Sequence, residues 1–162
     1  MPLKFETANG AIIITAEDGS GDAAVTFPRN GYVASTYTGD VSITGDLSVT
    51  GEFIADSLNE TYSALSGTSV TIDCETGNFF ALSTAGNTTF TFSNPPASGT
   101  AYSFTLKLTA GGTHTITWPT SVDWAGGSAP TAPASGETDL LAFATYDGGT
   151  TWYGFLAGDA MA

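Results

Sequence analysis

Residues 39–56 read GDVSIT-GDLSVT-GEFIAD, a six-residue unit written three times in tandem, each copy opening on glycine and an acid (Gly39-Asp40, Gly45-Asp46, Gly51-Glu52). In the first two copies apolar residues fill the third and fifth positions. Six is even, so the unit preserves the two-residue alternation of a β-strand. Val41, Ile43, Leu47, Val49 and Phe53 then fall on one side, and Asp40, Ser42, Asp46, Ser48 and Glu52 on the other. A lone chain has little use for such a ribbon, because an unpaired strand leaves its backbone groups unsatisfied and its apolar row in water. Several copies wound about a common axis solve both problems. Their backbones pair between chains, the five apolar residues meet at the centre, and glycine at each unit start relieves crowding or permits a turn. The alternative is an ordinary strand pair bent at Gly45 within one monomeric β domain.

From residue 67 onward the text becomes a series of alternating segments: TSVTID, FFALST, TTFTFS, YSFTLKLT, HTITW, DLLAFATY and TWYGFLA. Turn signals separate them, and no useful stretch shows a 3.6-residue apolar period, so the expected class is all-β, with a β-sandwich or jelly-roll-like domain over 67–162. Phe90 and Phe92, then Tyr102 or Phe104, Leu106 and Leu108 take core parity, and Trp152 and Tyr153 are both assigned to the core. In Tyr146-Asp147-Gly148-Gly149-Thr150-Thr151-Trp152 the Asp-Gly pair marks a hairpin turn. Residues 39–66 form the stem and a connector, in which Ser57 and Glu60 fit a capping box that would open a short helix or turn ahead of Tyr62 and Leu65.

Residues 1–38 read as an amino-terminal β arm. Its β-type runs, 11–15 and 24–27, are separated by AEDGSGDA and read as a hairpin. An arm this small holds no core unaided. Leaving Phe5, Ile13 and Phe27 in water costs roughly 1.5–3 kcal/mol per large side chain, so these three are expected to anchor on sister chains or another protein. Folding back on the carboxyl-terminal domain is the alternative.

Three basic residues, Lys4, Arg29 and Lys107, against sixteen acids give a formal charge of −13. That balance argues against nucleic acid and against an anionic membrane as partners. The chain opens without a basic head and apolar run, and has no apolar stretch of 18 residues, so a soluble, non-exported protein is expected. Cys74 is the only cysteine, which excludes an internal disulfide, and it is read as a small, partly buried residue after a strand. With one histidine and one cysteine, a zinc site has too few ligands. His114, in GGTHTITWP, reads as a strand-tip or inter-subunit residue. Asp40 and Asp46 repeat too regularly to be paired acid/base carboxylates. No enzyme, cofactor or metal is expected. Trp124, in a Gly/Pro-rich loop beside Gly126-Gly127, is the candidate contact residue of the head.

The hexads GDVSITGDLSVTGEF resemble the stems of bacteriophage tail fibres and virion appendages. SGTAYSFTLKLTAGGTHTITWPTSVDWAGG and YDGGTTWYGFLAG resemble β domains that end many phage structural proteins, including head decoration proteins. The resemblance implies a homotrimer, with Val41, Ile43, Leu47, Val49 and Phe53 on its axis and a formal charge of three times −13, or −39. It also implies a place on the virion, after synthesis in the host cytoplasm. Three repeat units and one small domain are short for a receptor-binding fibre. They fit a capsid decoration, or cement, protein on the outer surface of the capsid, whose arms grip the major capsid protein through Phe5, Ile13 and Phe27. The rival is a short tail fibre or tail adaptor that joins tail proteins and whose head binds a host surface glycan.

Overall fold

The computed structural model describes the backbone of Phe5–Ala8 and Ala11–Ile14 and all of residues 49–161. The chain divides into two compact units, Met1–Phe53 and Ile54–Ala162. In the first, β1 (Phe5–Ala8) pairs antiparallel with β2 (Ala11–Ile14), with Phe5 opposite Ile14 and Ala8 opposite Ala11. The expected hairpin thus has a different described partner. Asn9-Gly10, the pair most favoured in two-residue hairpin connections, lies between the two strands in sequence, and the shorter loop closes at lower entropic cost than the span from 15 to 24. The run 24–27 and the residues Phe27, Val41, Ile43 and Leu47 lie outside the described residues. Phe5 and Ile13 occupy opposite parities of the pair, since Ile13 stands opposite Glu6.

The second unit contains β3 (Ser63–Leu65), β4 (Ser69–Asp73), β5 (Phe79–Thr84), β6 (Thr88–Ser93), β7 (Tyr102–Ala110), β8 (Ile116–Thr117), β9 (Val122–Trp124), β10 (Thr138–Thr145) and β11 (Trp152–Met161). Each of the seven alternating segments contains a strand, HTITW only the two residues of β8. The all-β expectation holds, and the unit is a sandwich of a six-stranded sheet, ordered β3-β5-β7-β10-β11-β9, on a three-stranded sheet, ordered β4-β6-β8. Successive strands from β3 to β8 alternate between the sheets, and each pairs parallel with the next strand of its own sheet. The chain therefore winds as a short two-sided coil. The antiparallel β10 and β11 then extend the large sheet from β7, and β9 pairs parallel with β11 at its edge.

Parity explains the core. In β7 the buried residues are Phe104, Leu106, Leu108 and Ala110, and in β4 they are Val70 and Ile72. Phe92 of the small sheet reaches across to Phe104, Phe143 and Trp152 of the large one, with ring centroids 5.2, 5.3 and 5.1 Å away in near-perpendicular geometry. Such pairs add about 0.5–1.5 kcal/mol each to the burial that joins the sheets. Residues 57–62 form no helix: they run without regular structure into β3, which belongs to the large sheet and not to a connector. A capping box gives a helix two hydrogen bonds at one end, whereas three residues of β3 gain a ladder and a packed neighbour.

The β10–β11 turn is held by Asp147. Its carboxylate accepts from the Thr151 backbone N–H at 2.9 Å, which chiefly holds its pKa below the usual carboxylate value, and from the Thr145 hydroxyl at 3.0 Å. Gly149 has φ +76°, and a Cβ there would lie 2.9 Å from Pro95 and 3.1 Å from the Trp152 indole nitrogen. Only glycine suits both the backbone and the space.

Candidate interaction surface

The two outer faces of the sandwich differ in chemistry. On the small sheet, Ser69, Thr71, Thr89, Thr91 and Thr117 point outward and exposed, and Thr71 and Thr91 hydrogen-bond to each other at 2.9 Å. On the large sheet one outward row runs in register across four strands, Phe79, Thr105, Ala142 and Phe155, and the next contains Ala81, Lys107 and Leu140. Phe155 is 48% exposed and Tyr153, beside Ala144, is 43% exposed. Tyr153 therefore departs from its core assignment: neighbours on a strand face opposite ways, and Trp152, 1% exposed, takes the inside. No acid stands at an outward position of β5, β7 or β10. Lys107 is the only lysine or arginine among the described residues.

At the β3 side this face deepens into a groove of about 430 Å³ lined by Tyr62, Phe79, Ala81, Thr105, Lys107 and Leu140. A second hollow of about 420 Å³ adjoins it and shares Tyr62, Ala81 and Lys107. The connector that leads to this corner is apolar and uncovered, with Phe53, Ile54, Leu58 and Tyr62 all exposed. Val49, another of the expected axis residues, is also exposed. The structure places Val49 and Phe53 in residues without regular secondary structure.

Trp124 lies on β9 and not in an open loop. Its ring rests against Gly154, where a Cβ would come within 2.8 Å, and meets Trp118 at 5.4 Å and Phe143 at 5.5 Å. The remaining surface of Trp124 helps line a cup of about 220 Å³ with Ala125, Ser128, Pro130, Phe155 and Leu156. β9 escaped the sequence reading because three residues are too few to display alternation.

The reactive side chains are used structurally. The His114 Nδ1 is 2.8 Å from the Thr84 hydroxyl, which also accepts from the Gly111 N–H at 3.1 Å, so the ring braces the turn between β7 and β8. Cys74 is buried just beyond β4, and desolvation, with Asp73 beside it, pushes its thiol up to about 11. The Tyr102 hydroxyl, also raised by burial, donates to the Gly77 carbonyl. Among the described residues no three His, Cys, Asp or Glu side chains gather as metal ligands would. The chain matches no protein-family model, and no curated protein or solved structure is significantly similar to it.

Proposed function

We propose that this protein is a homotrimeric bacteriophage capsid decoration protein that joins neighbouring capsid subunits and stabilises the head against internal pressure. The observation that carries the reading is the division of the head into a hydroxyl-rich outer face and an apolar one whose strands β5, β7 and β10 carry no outward acid, downstream of a hexad repeat whose alternation favours self-association. In a trimer the stems wind together, the apolar faces of the large sheets turn toward sister copies, and the threonine faces meet solvent. The arms, through Phe5, Ile13 and Phe27, engage different capsid subunits, multiplying weak contacts through effective concentration. The high negative charge keeps such a coat soluble.

A second reading, a short tail fibre or adaptor that binds a host glycan, draws on the Trp124 cup, since an indole beside Phe155 offers sugar rings a stacking surface. Electron microscopy of particles lacking the protein, after its addition, separates the two. Density at capsid three-fold or quasi-three-fold positions is expected, with deletion of residues 1–38 abolishing it. Density confined to the tail, with adsorption lost in Trp124→Ala, would replace the capsid reading with the fibre.

A further inference from the structure

Two features of the head unit are left uncovered by the described residues and complement each other. The first is the groove beside β3, an apolar trough of Phe79, Ala81, Thr105 and Leu140 with the Lys107 ammonium at its edge. The second is the connector. It is seated on its own head at Thr61, whose carbonyl oxygen lies 3.8 Å from the Cβ position of Gly77. Before that point Ile54 is 81% exposed and Leu58 72% exposed, with Asp56 between them.

We propose that residues 54–58 of one copy lie in the groove of a neighbouring copy, with Ile54 against Phe79 and Thr105 and Asp56 paired with Lys107. This rests on the self-association part of the reading above, and not on attachment to a capsid. Charge complementarity selects the occupant. The connector is acidic and apolar, with Glu52, Asp56 and Glu60, while the groove holds the one lysine of the described residues, among strands β5, β7 and β10 that carry no outward acid. Spacing agrees as well. Ile54 and Asp56 are two residues apart, as are Thr105 and Lys107, and two extended residues span about 6.6 Å in either chain. Each copy owns one groove and one connector, so the contact is heterologous and closes into a ring when three copies share an axis. The ring would cover the apolar connector and bring a cation to a stem crowded with acids.

The test is a disulfide trap with a charge swap. Ile54→Cys combined with Thr105→Cys is oxidised under native conditions and run on a non-reducing denaturing gel; buried Cys74 does not compete. Covalent trimer is expected. Adding Lys107→Glu should lower its initial rate of formation about ten-fold or more, because like charges then face each other across the contact, and Asp56→Lys should restore it. The swap is also read without new cysteines, by sedimentation of Lys107→Glu alone and with Asp56→Lys, each checked for β circular dichroism. Wild-type trimers whose 54/105 variant yields only monomer would overturn the inference and leave the trimer standing. So would a Lys107→Glu effect that Asp56→Lys fails to reverse. A monomeric wild-type protein would overturn both.

Discussion

The two sheets share one core yet present opposite faces to the outside. β4 and β6 alternate Val70, Ile72, Phe90 and Phe92 inward with Ser69, Thr71, Thr89 and Thr91 outward, the pattern of a sheet that meets water on one side. In β10 every second residue is fully buried, and the residues between, Thr138, Leu140, Ala142 and Ala144, are half-buried on the outer face. An outward face that carries Phe79, Leu140, Ala142 and Phe155 costs solubility unless something covers it, whereas an outward row of threonines satisfies itself and water. The difference is the physical ground on which the large-sheet face is proposed as the contact surface.

The strongest way to break the comparison is to remove what both sheets share. Phe143 stacks on Phe104 at 4.8 Å and also meets Phe92, Trp118 and Trp124. Phe143→Ala should cost about 3–5 kcal/mol in denaturant unfolding, and both sheets should melt together. Next comes a change confined to the large-sheet face. Phe155→Asp should weaken the proposed trimer association roughly 10- to 100-fold by sedimentation, the scale of a lost apolar anchor, while the thermal midpoint of the isolated fold moves little. An unchanged trimer would remove that face from the interface.

Two titrations report on the sheets separately. Cys74 follows β4 of the small sheet, and its folded thiol ionises near pH 11, above the unfolded value of about 8.5. The folded state then holds a proton that the unfolded state has released, so stability is intact below about pH 8.5 and declines as pH rises toward 11. Native protein at pH 8 should resist thiol reagents until it unfolds, and labelling as fast as free cysteine would show a locally open small sheet. Asp147 works in the other direction on the large sheet. Its folded pKa is depressed, so its contribution is present above the unfolded value of about 3.9 and is lost as pH falls through the folded one. Asp147→Ala should leave the β10–β11 turn exchanging amide protons faster at neutral pH and should flatten the acid limb of the stability curve. The smallest effect belongs to the threonine face, where Thr71→Val should change stability by no more than about 0.5 kcal/mol and association not at all.

Alternation made six longer strands, the segment HTITW that holds the two residues of β8, and the inner residues of β6 and β7 legible from sequence. It says nothing of partners, because residues i and i+2 share a face whether the next strand runs parallel or antiparallel. The winding between sheets was therefore hidden. β3 and β9, each three residues long, fell below the length at which a period of two can be seen. The apolar face was hidden for a related reason: Leu140, Ala142 and Phe155 are ordinary members of apolar runs until register brings them side by side. The setting of Trp124 was hidden as well, since its packing over Gly154 depends on β9 docking against β11.

The alternating course of β3 to β8 has a consequence for how such a protein can change over time. Each circuit adds one strand to both sheets and hands the next circuit the same pair of edges. An inserted or deleted circuit would lengthen or shorten the head while leaving the connector at one end and the β10–β11 hairpin at the other unchanged. The hairpin works as an end cap, because its antiparallel pairing interrupts the sequence of parallel edges. A molecule built this way can vary its height by whole turns, and every turn that is added contributes one strand to each outer face.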